Sequence, residues 1–311
     1  MIRIVCPNPA LDRTILLPEL CYDEVNRATD FRVVPGGKGL NVARACRHFQ
    51  MAVAIYGFVG GMAGELVQEG CRMPGIFNRL TKIKGETRIC SIFVEQKNGR
   101  VTVVNEPGPE VSGEEQSDLK QKLYSDIREG DIVIFSGSLP GGVSSSFYAE
   151  LARQLTEKSV KIIVDTSGKA LQEAMRVNPW FVKPNLEEFQ ELTGVAENAD
   201  LRTILQEMKN WINQGVKHMV VTLGKEGLLY AGQTECFFLK SPRVAAVNPI
   251  ACGDTLLGGF VSRYVQTKRI RPSLQLGVAC AAANAMNPYP GIPDDADLNA
   301  LTGLVEAEEM D

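Results

Sequence analysis

A rhythm that sets in near residue 112 constrains the fold more than any other feature of the chain. Helix-like stretches alternate with short apolar runs, and each run ends in a small or polar cluster. The stretch 114–128 leads to Ile132–Phe135, which ends in Ser136-Gly137-Ser138-Leu139-Pro140. The stretch 144–157 leads to Lys161–Val164, which ends in Asp165-Thr166-Ser167-Gly168. Next, 169–176 leads to Phe181-Val182 and then Lys183-Pro184-Asn185-Leu186-Glu187-Glu188. Last, 200–214 leads to Met219–Thr222 and then Leu223-Gly224-Lys225-Glu226-Gly227. Strands this short and apolar are buried on both faces, as in a parallel sheet. Ligands of such sheets sit beyond the carboxyl ends of the strands, so the polar clusters predict a site. A hairpin at 228–230 and 236–239 and helices at 255–266 and 273–286 complete the α/β domain.

The first third of the chain breaks that rhythm. Ile2–Cys6 reads as a strand, followed by a polar turn, Asn8-Pro9-Ala10-Leu11-Asp12. Asp12 could accept hydrogen bonds from sugar hydroxyls, or serve as an ordinary turn aspartate. Ile15–Leu17 and Phe31–Val34 look like short strands with Pro18 and Pro35 as breakers. Asn98-Gly99 is a hairpin signal between Ile89–Val94 and Val101–Val104. These pieces, about 13–35 and 87–105, predict a β flap where helices would be expected. Arg27, between the first two strands, and Arg88, at the entry to the hairpin, are candidates for an anionic substrate, although an exposed arginine at 27 needs no ligand. Gly70-Cys71-Arg72-Met73-Pro74-Gly75 is assigned to no element.

Two glycine-rich segments carry the chemistry. In Pro35-Gly36-Gly37-Lys38-Gly39-Leu40-Asn41-Val42-Ala43, glycines bracket a lysine just before a helix that runs through Cys46. The glycines permit close backbone approach, Lys38 offers a point charge for phosphate, and Asn41 can pair with hydroxyls. The spacing matches neither a Walker A loop nor the dinucleotide fingerprint. Val53–Gly57 and the glycine-rich Phe58–Gly64 follow. The second segment is Asn248-Pro249-Ile250-Ala251-Cys252-Gly253-Asp254, running into the apolar Thr255–Phe260. Small residues at a helix start turn free N–H groups toward an anion. A carboxylate beside an anion site, Asp254, suits a base that takes a proton from a hydroxyl. The same residues would also make a plain helix start with Asp254 as N-cap.

Composition removes several other classes. A net charge of -4 gives no reason to expect nucleic acid or an anionic membrane as partner. No apolar run is long enough to span a bilayer. The 8 cysteines include no Cys-x-x-Cys pair, so zinc and a disulfide framework are not indicated and a cytoplasmic location is expected. With only 2 histidines, His48 and His218, a histidine-based scheme has few candidates.

These motifs resemble the signature regions of the ribokinase-like sugar kinases. Asn-Pro-x-x-Asp at 8–12, Lys-Gly-Glu-Thr-Arg at 84–88, Ser-Gly-Ser-Leu-Pro at 136–140, Lys-Pro-Asn-x-x-Glu at 183–188 and Leu-Gly-x-x-Gly at 223–227 narrow the likeness to the phosphohexose kinase branch. The likeness runs from Asn8 to about Asn284. It implies one domain over 1–311, a three-layer α/β/α sandwich with a mainly parallel sheet and a small β-sheet lid often used as a dimer clasp. It implies ATP and Mg2+ and transfer of a phosphoryl group to a hydroxyl of a hexose phosphate. Asp254 would be the base and the amides of Ala251, Cys252 and Gly253 the anion hole. Asp12, Gly37, Lys38, Asn41, Arg88, Arg27 and Ser136 would hold the sugar phosphate. Lys183, Asn185, Thr222, Gly224, Gly227 and Asn284 would hold ATP, with Glu188 and Asn185 near the metal.

The chain departs from that pattern in two places. Ala251-Cys252 stands where Gly-Ala or Gly-Ser is usual, and Gln50 stands where a small residue is usual. If position 251 needs a positive φ, a Cβ there costs on the order of 1 kcal/mol. The expected acceptor is fructose 1-phosphate, with tagatose 6-phosphate and fructose 6-phosphate as alternatives. A regulator that binds these ligands without turnover is the alternative of another class.

Overall fold

The computed structural model describes residues 1–155, 158–293 and 296–310. In chain order β1 (Ile2–Val5) is followed by β2 (Ala10–Leu17), β3 (Asp30–Gly36) and helix α1 (Lys38–His48). Then come β4 (Val53–Tyr56), β5 (Phe58–Val59), α2 (Gly61–Gly70), β6 (Ile76–Asn78), β7 (Thr81–Lys82), β8 (Arg88–Glu95) and β9 (Val101–Asn105). The regular half holds α3 (Gly113–Asp126), β10 (Ile132–Ser136), α4 (Phe147–Leu155), β11 (Lys161–Asp165), α5 (Gly168–Met175), β12 (Phe181–Val182), α6 (Leu186–Thr193), α7 (Leu201–Gln214) and β13 (His218–Thr222). It closes with β14 (Gly227–Gly232), β15 (Cys236–Lys240), α8 (Cys252–Thr267), α9 (Ile270–Met286), α10 (Leu298–Gly303) and β16 (Glu306–Glu309).

One 10-stranded sheet has the order β16-β15-β14-β13-β12-β11-β10-β1-β4-β6. It is parallel from β6 to β13 and antiparallel beyond. Successive side chains of a strand point to opposite faces, so each strand feeds two cores. Val5, Val133, Phe135, Val164 and Val221 join residues of α3 to α7 on one face. Ile2, Ile4, Ile55, Ile134 and Val220 join residues of α1, α2, α8 and α9 on the other. The expected three-layer arrangement is therefore borne out. On the second face the helices touch closely. A Cβ on Gly258 would lie 2.4 Å from Cβ of Ala45, and one on Gly259 would lie 2.6 Å from Sγ of Cys280. Only glycine allows α8 to seat so near α1 and α9.

The chain runs outward from β1 to β4 and β6, then returns to β10 on the other side of β1 and continues to β13. The order reverses between β1 and β10, which is where open α/β sheets form a ligand crevice.

A separate 4-stranded sheet, β3-β2-β8-β9, is built from the segments that broke the rhythm. Its strands are longer than expected. Asp12 lies within β2, opposite Val34, and not in a turn. Pro35 does not break a strand either; it lies inside β3, an edge strand that has no need of its missing donor. The inner face packs Ala10, Leu16, Cys90, Ile92 and Val94 against Ile250 and Tyr289.

Other boundaries shifted. Helix α8 begins at Cys252, so Asp254 is in its first turn and the N-cap is Ala251. Helix α4 begins at Phe147, and residues 156 and 157 of the expected helix lie outside the described residues. The unassigned stretch 70–75 closes α2 and turns, with Gly75 at φ 81, into the unforeseen strand β6. Gln50 takes φ 58 after α1, a left-handed turn that accounts for the small residue usual there. Among the described residues, no helix is long and apolar enough to cross a membrane, and the cysteines are free.

Candidate active site

The carboxyl ends of β1, β10, β11 and β12 and the N-termini of α1, α6 and α8 converge at the strand-order switch. Asp165 ends β11 and is fully buried. Its Oδ1 meets Lys183 Nζ at 3.1 Å and Lys38 Nζ at 3.5 Å. Lys38 Nζ also donates to Glu188 Oε1 at 3.1 Å. A Cβ on Gly253 would lie 3.3 Å from Lys183 Nζ, which puts that lysine beside the first turn of α8. Asp254 is 7 % exposed, and its Oδ2 accepts a hydrogen bond from Asn41 Nδ2 at 2.8 Å.

The charges of this cluster set one another. Burial, and next the charge of Asp165, push the Asp254 carboxyl up to about 6. Burial works against the Lys38 ammonium, but Asp165 and Glu188 outweigh it and raise its pKa. Burial would likewise raise Asp165, yet Lys183 and Lys38 hold it below the ordinary carboxylate range. The result is a Lys38 ammonium kept charged beside one firmly ionised carboxylate, Asp165, with a second carboxyl, Asp254, raised to about 6. A carboxyl so tuned is suited to general base chemistry.

The glycine loop forms as its sequence suggested. Gly37 takes φ 89, and a Cβ there would sit 3.2 Å from Cα of Pro9, so loop and first turn lie against each other. Asp12 is buried beside them, its carboxyl raised by burial. Arg88 is half-buried, and its Nη2 donates to the Asn8 carbonyl at 3.1 Å. Ser136 is fully buried opposite Asp165 in the β10–β11 register, and its Oγ has no hydrogen-bond partner. Arg27 is exposed in the loop between β2 and β3.

On the other side Asn185 caps α6. Its Oδ1 accepts from the Glu188 N–H at 2.7 Å, and Glu188 Oε2 accepts from the Asn185 N–H at 2.9 Å. This capping box leaves Glu188 Oε1 facing Lys38. Thr222 ends β13, and Gly224 and Gly227 follow it with φ 59 and 124. Asn284 is fully buried. Its Nδ2 donates to the Ile250 carbonyl at 2.8 Å and its Oδ1 accepts from the Gly291 N–H at 2.7 Å, so it braces the turn before α8 instead of opening to a ligand.

The turn before α8 has the conformation the motif implied. Ala251 takes φ 66 and ψ 8, the left-handed region that glycine adopts freely. The N–H of Cys252 points to the Pro249 carbonyl at 3.3 Å. Two residues of the site escaped the sequence reading. Asp165 was visible only as part of a strand-end cluster. Arg44 gave no signal, being one polar residue of α1.

A mainly parallel sheet between two helix layers, a separate small sheet, and this charged cluster at the switch point define the ribokinase-like class. The family model of the pfkB family carbohydrate kinases matches residues 4–296. A tagatose-6-phosphate kinase of Staphylococcus epidermidis is 30% identical over 312 residues, covering 100% of both chains. A 1-phosphofructokinase of Borreliella burgdorferi is 31% identical over 287 residues, covering 92% of each. The crystal structure of Escherichia coli phosphofructokinase-2 in complex with substrates and products superposes with a TM-score of 0.89 at 26% identity, covering 97% of this chain and 98% of that one. The chain belongs to the pfkB family of carbohydrate kinases. It is an ATP-dependent kinase, and the resemblance to the phosphohexose kinase branch is borne out.

Proposed function

We propose that the protein transfers the γ-phosphoryl group of ATP to a hydroxyl of a hexose phosphate, with fructose 1-phosphate as the acceptor. The observation that carries this reading is the buried Asp254 carboxyl, raised to about 6, in the first turn of α8 beside Lys183 and Lys38. Phosphoryl transfer is mainly positioning and charge neutralisation, so lysines, free N–H groups and one base suffice.

In this reading Asp254 takes the proton from the acceptor hydroxyl. The amides of Ala251, Cys252 and Gly253 and the dipole of α8 stabilise charge on the transferred group. Cys252 must give up its long bond to Pro249 to take part. Asp12, Gly37 and Asn41 hold sugar hydroxyls, and Lys38 and Arg88 face the sugar phosphate. Lys183 lies on the ATP side, where Thr222, Gly224 and Gly227 line the nucleotide. Arg27 and Ser136 play lesser parts, since one is exposed and the other fully buried.

Magnesium fits this donor set as an ion that arrives with ATP. Among the described residues no group of three His, Cys, Asp or Glu could hold a resident metal. Asp165 Oδ2 is buried without a partner, and Glu188 Oε1 is held beside it through Lys38 Nζ, which contacts both carboxylates. These two carboxylates would hold it, largely through water, and it would neutralise phosphate charge. Asn185 is less suited, because its oxygen caps α6.

The small sheet would act as a lid over the sugar, covered in turn by the same sheet of a second copy. Its outer face exposes Phe31, Val33 and Val104, and apolar faces of this kind are usually covered.

The test is a panel of fructose 1-phosphate, tagatose 6-phosphate and fructose 6-phosphate with ATP and magnesium, on the wild type and Arg88→Met. Turnover is expected on one of them, with fructose 1-phosphate fastest. Arg88→Met should raise the KM of that sugar by roughly 10- to 100-fold, the loss of one charge-assisted contact, and leave that of ATP unchanged. A protein that binds the panel without ATP consumption would be a regulator. A rise in the KM of ATP alone would put Arg88 on the wrong substrate.

A further inference from the structure

Arg44 lies on α1, one turn beyond Asn41, and is half-buried. Nη1 donates to Asn41 Oδ1 at 3.1 Å and to the Pro290 carbonyl at 3.2 Å. Nη2 donates to the carbonyl of Pro35, in β3. One side chain thus gathers oxygens from α1, from the small sheet and from the turn beyond α9. Arginine has donors and no acceptor, so the amide of Asn41 must turn its oxygen toward Arg44. Its nitrogen then faces the other way, and there it donates to Asp254 Oδ2 at 2.8 Å. That bond engages Oδ2 and leaves Oδ1 to meet a hydroxyl.

We propose that Arg44 is a positioning residue of the reaction: it fixes the amide of Asn41, which holds the Asp254 carboxylate in one orientation, and it ties that setting to strand β3 of the small sheet. The inference rests on the reading of Asp254 as the base. Without Arg44 the Asn41 amide is free to flip, and a flipped amide presents an oxygen to the carboxylate. Small-sheet placement and base orientation would then come apart, since no other side chain described at the site bonds to both β3 and Asn41.

The electrostatics agree in direction. Burial lowers the pKa of Arg44, while Asp12 and Asp254 favour its charge and Arg32 opposes it. Asp254 in turn faces Lys38 and Asn41 from α1, Asp165 from β11 and Lys183 beyond β12. Cys6 beyond β1 and Cys252 of its own helix are also near it. Removing the guanidinium takes a cation from this set and frees the oriented donor, and both changes favour protonated Asp254.

A double-mutant cycle tests the chain of action. Arg44→Met, Asn41→Ala and the double variant are assayed in the full chain with ATP and the sugar phosphate turned over fastest. Thermal melting checks that each variant folds. Arg44→Met is expected to lower kcat about 10-fold or more and to move the acid limb of kcat to higher pH. In the Asn41→Ala background the same substitution should change kcat by less than about 2-fold, because the path is already cut. If Arg44→Met does not fold, Arg44→Lys carries the cycle; it keeps the charge but cannot hold the three oxygens. An equal loss in both backgrounds, or an acid limb that stays in place, would overturn the proposal. Asp254→Asn separates this from the base reading. If that variant keeps its turnover, the base assignment fails; if it loses turnover while the cycle is additive, only the role of Arg44 fails.

Discussion

The crevice edge of the large sheet and the outer face of the small sheet break opposite rules of protein surfaces. At the crevice, Asp165, Asp254 and Lys183 are buried charged groups, a costly arrangement unless each is paired. The pairing is supplied by Lys38, Asn41 and the helix starts around them. On the small sheet, Phe31 is 57 %, Val33 41 % and Val104 54 % exposed, even with the Arg13 guanidinium over the Phe31 ring. The register puts Phe31 opposite Ile15 and Val33 opposite Arg13, so these apolar groups share one face. Buried charge serves chemistry, because fixed dipoles and ions act strongly where water is excluded. Uncovered apolar surface serves assembly. The two regions should therefore fail in different ways when altered.

The largest expected effect lies at the crevice. Asp254→Asn keeps the shape and the bond from Asn41 after an amide adjustment, but it cannot accept a proton. Turnover should fall roughly 100- to 10,000-fold while ATP and sugar phosphate still bind. In the wild type the carboxylate is the active form, so kcat/KM should rise with pH through about 6 and level off above it. A variant with near wild-type kcat, or a flat wild-type profile from pH 5 to pH 8 (about 1 unit below and 2 above the expected pKa), would remove the base role and with it the contrast drawn above.

Substitutions on the small sheet should act more weakly and elsewhere. Phe31→Glu with Val33→Glu places carboxylates on the exposed face without touching the inner core of Ala10, Leu16 and Ile92. Light scattering at micromolar concentration should read a dimer for the wild type and a monomer for the variant. The KM of the sugar phosphate should rise about 10-fold, as expected for a lid left without its cover, with the KM of ATP little changed. A wild type that is monomeric and fully active would break the comparison on this side, leaving the kinase reading intact.

What could be read from the sequence follows from the same division. The large sheet was legible because strands buried on both faces are apolar throughout and their ends are marked by small and polar residues. Lys38 and Asp254 were legible because each stands out in a glycine-rich segment. The small sheet was located but its strands were cut short, since Asp12 looks like a turn residue and Pro35 looks like a breaker. Strand β16, Glu-Ala-Glu-Glu, gave no strand signal at all. It is an edge strand, where charge is favoured because it discourages further pairing. Arg44 was illegible for another reason. Its partners, Asn41, Pro35 and Pro290, are assembled only by the packing of α1 against β3 and the turn beyond α9.

The smallest expected effect sharpens the comparison by asking whether the crevice edge stores backbone strain. Ala251 holds φ 66 at the N-cap of α8, and its carbonyl accepts from the Thr255 N–H at 2.8 Å. A left-handed conformation costs an alanine on the order of 1 kcal/mol, which glycine avoids. Glycine gives back part of that gain, because it frees the unfolded chain by about 0.4–1 kcal/mol. Ala251→Gly should therefore stabilise the protein by a few tenths of a kcal/mol, a shift of about 1 °C in melting temperature. Turnover should stay within about 2-fold, because the donors proposed for this turn are backbone N–H groups and no side chain is lost from them. Urea unfolding and steady-state kinetics on the same preparation measure both. A clear loss of stability would mean that the turn is not left-handed in solution. A stability gain joined to a tenfold loss of kcat would mean that the alanine Cβ itself holds the turn in its working shape.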